Sequence, residues 1–564
     1  MAAAEAEEAK TLNDELERAI WLADRVRKSG EEAQSSMPEC LEMARKVDKI
    51  SQMLRSIVRL ANSRPADSFY DRPILRIVTD VSKNLQRART LARNCKNAGF
   101  LCHVFTITTL ADFKKVLNLL DTSIADLNWL SSIFDGEGPK LALPPFVSND
   151  PTLAWVWSYT ASLVMGRELN DRIDSANNLA LLAKVNDRNK KMIAEEGAIP
   201  WLLKLLKYAG GSAEGQIAAA NALSSLVDNE ERTRLIAGEH AIPIIVQILG
   251  DSHMKVQIAV ADLVARMANV DGMAREAFGR ENVIKPLVSC LLVDSVLDDH
   301  NLIERDGSRS GGPEVNYNLK ANFALALWRL CEGSLSNSRK IAEGKGLISL
   351  SKIIETEKGV LQFNCLMTVM EIAAMAETNT DLRKAAWKPN SPPVKAVLDQ
   401  LLRVIMEESI PDFRIPAIKA IGSLSLTFAR KETRMIGPLA AQLGSCFLNV
   451  AIESAIALGK FACKENYNRV ENSKAIIEYN GVPVLMKMIR GVNEIAKIHG
   501  LVLLCHLSVN VGNSMALEEA RALSTLEDAA RFVAGQNPEL RGLLDAAIHR
   551  LTLYQAVAHP HRHS

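Results

Sequence analysis

Apolar residues recur with helical spacing along nearly the whole chain, but in two different manners. In the first 145 residues four separate amphipathic stretches stand out. One runs through Leu12, Leu16, Ala19, Ile20 and Ala23, and a second through Val47, Ile50, Leu54, Ile57 and Ala61. A third runs through Ile74, Ile77, Val78, Val81, Leu85 and Ala88, and a fourth through Phe113, Val116, Leu117, Leu120, Ile124 and Leu127. Each keeps the i, i+3, i+4, i+7 spacing that puts apolar groups on one helix face. The segment "ANSRPADSFYDRP" separates the second from the third. The pattern predicts an antiparallel four-helix bundle.

From about residue 175 the pattern becomes periodic. "EEGAIPWLLKLLK", "GEHAIPIIVQILG" and "RENVIKPLVSCLL" place Pro200, Pro243 and Pro286 at intervals of 43 residues. Ser349, Pro393, Pro438 and Pro483 continue the series at intervals of 44 or 45. The one misfit, from Pro286 to Ser349, is a period plus 20 residues, and the surplus lies in the polar, Gly- and Asp-rich stretch 294–318. That stretch is expected to be an inserted loop. A period near 43 belongs to armadillo and HEAT arrays. Within each unit a glycine (Gly197, Gly346, Gly481) is expected to close one helix in the left-handed conformation. Proline then fits the first turn of the next helix. An Ala/Leu-rich helix such as "AAANALSSLV" completes the unit. The expected fold is all-α: a right-handed armadillo α-solenoid preceded by a four-helix-bundle-like N-terminal domain. The boundaries read as 1–145 for the bundle, 146–514 for roughly eight repeats with the insertion, and 515–564 for capping helices and tail.

Charge sharpens this picture in one place. The chain of 564 residues carries a formal net charge of +1, yet residues 43–100 hold 13 Lys or Arg against four acids. The excess makes the bundle a candidate for anionic membrane through Arg45, Lys49, Arg55, Arg59, Arg76, Lys83, Arg87, Arg89, Arg93 and Lys96, since each such charge is worth about 1 kcal/mol near an anionic surface. No aromatic residues interleave these charges to stack on bases, so nucleic acid is not expected. The nine cysteines are scattered singly and read as reduced, mostly buried thiols. No apolar, uncharged run of about 18 residues is present, so no membrane-spanning helix is expected. "GGSAEG" lacks the Lys-Ser/Thr of a phosphate-binding loop and reads as a turn. No nucleophile, acid–base or metal constellation has a supporting motif. The expectation is a non-enzyme with no cofactor and no small-molecule substrate.

The order of elements has a parallel. A basic bundle, the junction "LPPFVSNDPTLAWVW", an armadillo array and closing helices together resemble the Armadillo Repeat Only family of land plants. The resemblance spans the chain. It implies a scaffold of polarised tip growth, placed at plasma-membrane domains from the cytoplasm. It further implies partners that are negative regulators, notably GTPase-activating proteins, of Rho-type GTPases. The alternatives are a cytosolic adaptor for ubiquitin-dependent turnover, or one for actin or membrane traffic.

Nuclear-import adaptors built from the same repeat carry a W-x-x-x-N pair on the inner helix of each unit. The matching slots here are Asn177/Leu181, Asn221/Ser225, Asp262/Arg266, Leu325/Arg329, Met370/Ala374 and Ile456/Lys460, and none keeps the pair. Recognition of nuclear-localisation peptides is therefore not expected. Ser225, Arg266, Arg329, Lys460 and His506 instead read as candidate partner-binding residues along the groove. Their cations would suit an acidic or phosphorylated segment.

Overall fold

The computed structural model describes residues 2–33, 36–63, 69–96, 110–134, 144–148, 150–208, 211–292, 312–428, 432–533 and 538–558. The chain begins with α1 (Ala2–Glu31), α2 (Met37–Asn62), α3 (Arg72–Lys96) and α4 (Leu110–Phe134). A 3-10 turn at Pro145–Val147 leads into α5 (Pro151–Met165) and α6 (Leu169–Val185). Repeating triplets follow: α7 (Asp187–Glu195), α8 (Ala198–Tyr208) and α9 (Ala213–Leu226); then α10 (Glu230–Gly238), α11 (Ala241–Asp251) and α12 (Met254–Val270). Next come α13 (Gly272–Arg280), α14 (Ile284–Leu292) and α15 (Pro313–Cys331), then α16 (Leu335–Glu343), α17 (Gly346–Thr356) and α18 (Val360–Thr378). The series continues with α19 (Thr380–Ala386), α20 (Pro392–Glu407), α21 (Pro411–Ser423), α22 (Ile436–Gln442), α23 (Leu448–Ala462), α24 (Arg469–Glu478), α25 (Gly481–Ile489) and α26 (Glu494–Asn510). It closes with α27 (Met515–Glu519), α28 (Ala522–Val533) and α29 (Pro538–Ala558). Among the described residues there is no strand. The helices form two compact units, residues 1–244 and 245–564.

The first helix of most triplets is capped by the residue before it. The side chains of Asn186, Asn229, Asp271, Ser334 and Asn379 each accept from the backbone N–H three positions on, at 2.8–3.2 Å. A cap of this kind satisfies a backbone donor that the helix itself leaves open and contributes about 1 kcal/mol. The prolines Pro200, Pro243, Pro286, Pro438 and Pro483 all fall at the third residue of their helices, where a missing N–H costs nothing.

Two details differ from the sequence expectation. Gly197 has φ +79°, as a left-handed helix end requires, but at the other two marks it is Lys345 (φ 66°) and Asn480 (φ 56°) that take this conformation. Gly346 and Gly481 are glycines for another reason: a Cβ there would lie 2.3 Å from the Ile341 carbonyl oxygen and 2.7 Å from that of Ile476. The insertion is also shorter than 294–318. Gly312 and Pro313 start α15, and the polar "PEVNYN" forms its first turns. Tyr317 anchors them by donating to the Lys358 carbonyl at 2.9 Å. Residues 293–311 lie outside the described residues, as do His559, His561 and His563.

Within residues 1–244 the bundle is built on a core of Leu16, Val47, Ile50, Leu54, Ile74, Leu85, Leu120 and Leu130, all fully buried. This core continues beyond α4 through Val147, Ala154, Trp157 and Ala161. Within residues 245–564 the inner helices stack in order, α12 on α15, α15 on α18, α18 on α21, α21 on α23, α23 on α26, and α26 on α29. Of these α18 is long and apolar enough to cross a membrane by length and composition, but more than half of it is buried between its neighbours and it carries Glu371.

Candidate interaction surfaces

Packing divides the bundle's basic residues. Helices α1 and α4 each pack against both α2 and α3, while α2 and α3 meet only marginally, so the latter two stand at opposite corners. On α2, Arg45, Lys49, Arg55 and Arg59 are exposed, and Arg55 pairs with Asp24 at 2.9 Å. On α3, Arg76, Lys83 and Arg87 follow one stripe and Arg89 and Arg93 another; the Lys96 side chain lies outside the described residues. The described charges of the two helices therefore do not make one continuous field. The second α3 stripe faces α1, where Trp21 is 48% exposed. Arg25 and Arg89 lie over its ring at 4.9 and 5.2 Å. Arg18, Trp21, Arg89 and Arg93 line a shallow cleft of about 360 Å³ between α1 and α3. The cleft joins an amphipathic aromatic ring to several guanidinium groups.

Arg76 has a different role. Its guanidinium pairs at 2.6 Å with Glu196, a carboxylate only 4% exposed, at the turn between α7 and α8. The indole N–H of Trp157 donates to the same carboxylate at 2.9 Å. The neighbouring main chain is held as well: Tyr70 donates to the Glu196 carbonyl at 2.9 Å, and Arg72 donates to that of Glu195. Arg76 also lies 5.9 Å from the Trp157 ring centre, and that ring stacks near Phe146 and Trp129. A buried carboxylate is tolerable only when its charge and lone pairs are answered in this way. As a lipid contact Arg76 is thus committed elsewhere. Nearby, Asp126 of α4 accepts from the Phe146 N–H at 2.8 Å. Burial pushes its carboxyl up to about 6, with Asp80 adding to the rise and the Phe146 N–H opposing it.

The candidate groove residues fall on α9, α12, α15, α23 and α26, and they do not form a bare cationic row. Ser225 donates to its own helix, at the Asn221 carbonyl, 2.8 Å away. Arg266 pairs with Asp262 at 2.7 Å. Arg329 pairs with Glu332 at 3.2 Å and stacks 3.8 Å above Trp328. Lys460 pairs with Glu377 at 2.7 Å. His506 is half-buried, and desolvation lowers its pKa against the pull of Glu465, which weakens it as a cation. The physical reason for the correction is that an acid answers each cation, one turn away for Arg266 and Arg329 and on α18, beyond the intervening α21, for Lys460, which slot spacing alone does not reveal.

One cleft of about 300 Å³ brings several of these positions together. Its lining comes from α18, α21 and α23. Met370, Ala374, Ile456 and Ala457 supply an apolar floor. Above them Glu377 meets Lys460, and Lys419 meets Glu453 at 3.2 Å. The helices approach closely because Gly422 has no side chain: a Cβ there would lie 2.9 Å from that of Ala457. Two expected slots, Met370/Ala374 and Ile456/Lys460, are thereby joined by a third, Lys419/Ser423, that the sequence reading missed. The available signal was the lysine–serine pair four residues apart near the end of "PDFRIPAIKAIGS".

Comparison with known proteins agrees with this architecture. Residues 13–135, the span of the bundle, match a domain of unknown function (DUF7792), and residues 186–228 match the armadillo/beta-catenin-like repeat. A stretch of 101 residues is 30% identical to U-box domain-containing protein 12 of Arabidopsis thaliana, covering 18% of this chain and only 15% of that protein. A crystal structure of an engineered protein superposes with a TM-score of 0.58 at 19% identity, over 71% of this chain and 89% of that one. A designed armadillo repeat protein matches 47% of this chain and 98% of its own length at 18% identity, with a TM-score of 0.38. The fold is all-α and armadillo-type, and the triplet α7–α9 is an armadillo repeat.

Proposed function

We infer that this chain is a non-enzymatic scaffold that binds protein partners through the inner-helix face of its repeats. The observation that carries the reading is the cleft over α18, α21 and α23, where an apolar floor is ringed by partly exposed charged side chains. A surface of that composition suits reversible recognition of a partner segment, with apolar anchoring in the centre and polar groups at the rim. The bundle, in this reading, meets anionic membrane at the α1–α3 corner. Trp21 would sit at the headgroup level and Arg89 and Arg93 would answer phosphates. Residues 1–145 would carry the address, 146–514 the partner groove, and 515–564 the closing helices. Resemblance to the Armadillo Repeat Only family supports a cytoplasmic scaffold at plasma-membrane domains that recruits GTPase-activating proteins to confine Rho-type GTPase signalling in polarised growth.

The test is affinity purification of the full chain after in-cell crosslinking. Recovery of Rho-type GTPase regulators is expected. Recovery dominated by ubiquitin-conjugating machinery would replace this reading with an adaptor in protein turnover. A parallel flotation assay with phosphatidylserine vesicles tests the address. The full chain should float, Arg89→Glu with Arg93→Glu should not, and indifference of the full chain to anionic vesicles would remove the membrane from the model.

A further inference from the structure

We propose that the cleft over α18, α21 and α23 selects an extended partner segment of mixed charge, with an acidic and a basic residue flanking one apolar anchor, and rejects uniformly acidic or uniformly basic segments. This rests on the inner-helix face being the partner surface, and it names the chemistry that surface accepts.

The walls of the cleft are balanced in charge. The cleft holds two lysines, Lys419 and Lys460, and two glutamates, Glu377 and Glu453, each lysine facing a glutamate across helices. A phosphorylated or acidic string meets as many carboxylates as ammonium groups, and a basic string meets as many lysines as acids. Neither gains from the field. A ligand bearing one charge of each sign can place both favourably.

The spacing agrees with this. Glu453, Ile456 and Lys460 share one face of α23, two turns long, so the acid and base stand about 10 Å apart along the helix. An extended chain rises about 3.3 Å per residue, so opposite charges three residues apart match that interval. Ile456 stands between them on the helix, and Met370 and Ala374 line the same cleft, leaving an apolar place for an intervening side chain.

The exchange is also energetically available. Glu377 and Lys460 are each 34% exposed, and Lys419 is 44% exposed. Ion pairs in such surroundings contribute little to folding. A ligand's charges can therefore take the place of the internal partners without unfolding the helices. No asparagine stands in these slots to hold a peptide backbone, which leaves recognition to the charged walls and the floor.

The probe is a random dodecapeptide display library panned on the full chain. Affinities of the enriched peptides are then measured on the wild type and on the double exchange Glu377→Lys with Lys460→Glu. The exchange keeps an ion pair, and circular dichroism confirms its fold. The expected result is enrichment of peptides with an acid and a base about three residues apart around an apolar residue, and a loss of roughly tenfold or more on the exchanged protein. Ala374→Phe, which fills the floor, should abolish binding. Enrichment of uniformly acidic or basic peptides would overturn the proposal. Peptides indifferent to both variants would overturn it too, while leaving a partner surface elsewhere on the repeats. No enrichment at all would overturn the cleft as a peptide site, and the affinity purification would then decide the scaffold reading by itself.

Discussion

Two carboxylates, Glu196 and Glu377, show how differently one chain uses the same group. Glu196 is almost fully buried and is answered by the Arg76 guanidinium and the Trp157 indole, while Tyr70 and Arg72 hold the main chain around it. Glu377 is 34% exposed and has Lys460. The first fastens α3 of the bundle to the turn between α7 and α8, so charge there acts as architecture. The second decorates a cleft, where its charge remains available to a ligand. The same ion-pair inventory can therefore mean structure or recognition, and burial decides which.

The sharpest way to break this comparison is to remove both acids. Glu196→Ala leaves a guanidinium and an indole N–H facing a void. Loss of one partner from a buried pair costs about 3–5 kcal/mol when both are buried; since Arg76 is half-exposed, about 2–3 kcal/mol is expected. Thermal melting should show a fall of several degrees for Glu196→Ala and almost none for Glu377→Ala. Equal falls would erase the distinction.

Next in size is Gly422→Val. What holds the cleft together is close packing instead of charge. The added atoms would press on Ala457, whose Cβ lies 2.9 Å from the position of a new one, and overpacking of this kind costs about 1–3 kcal/mol. Denaturant unfolding should show the loss, and a neutral result would mean that α21 and α23 can move apart freely.

Asp126 sharpens the junction side through pH. Its folded carboxyl keeps a proton up to about pH 6, whereas the unfolded group releases it near its ordinary value of 3.8. Between those values the folded state binds more protons, so this group's contribution is full at low pH and is lost as pH rises through 6. Asp126→Asn keeps an acceptor for the Phe146 N–H and removes the titration. The variant's melting temperature should exceed the wild type's by more at pH 7.5 than at pH 4.5. A constant difference would show that Asp126 titrates normally.

How much of this was legible follows from periodicity. Regular prolines and apolar stripes are local signals, and the all-α, armadillo-type fold was legible from them. The capping residues Asn186, Asn229 and Asp271 were as regular, and equally readable, but polar singletons draw less notice than prolines. Long-range pairings were not legible. "SFYDRP" read as a helix breaker, yet its Tyr70 and Arg72 reach residues more than 120 positions away. Whether the basic run on α2 and α3 makes one field could not be read from the order of the helices, because α1 and α4 keep the two at opposite corners. Trp21 escaped attention because α1 lies outside the basic stretch. The groove acids were missed because Glu377 and Glu453 act across helices, where slot spacing carries no information.

The smallest expected effect belongs to the groove cations themselves. Replacing Arg266, Arg329 and Lys460 together by Ala removes one partner from each of three pairs. Arg266 is exposed and bonded one turn back to Asp262, so its contribution lies in the range of about 0–1 kcal/mol found for surface pairs. Arg329 adds its stacking on Trp328, worth about 0.5–1 kcal/mol in a half-exposed setting. Lys460 leaves Glu377 partly exposed to water, which can solvate it. None of the three fills an apolar core, so the triple variant should melt within a few degrees of the wild type while its partner capture falls. If instead the triple variant unfolds as readily as Glu196→Ala, these side chains hold the inner helices together, and the groove is architecture as much as the junction is.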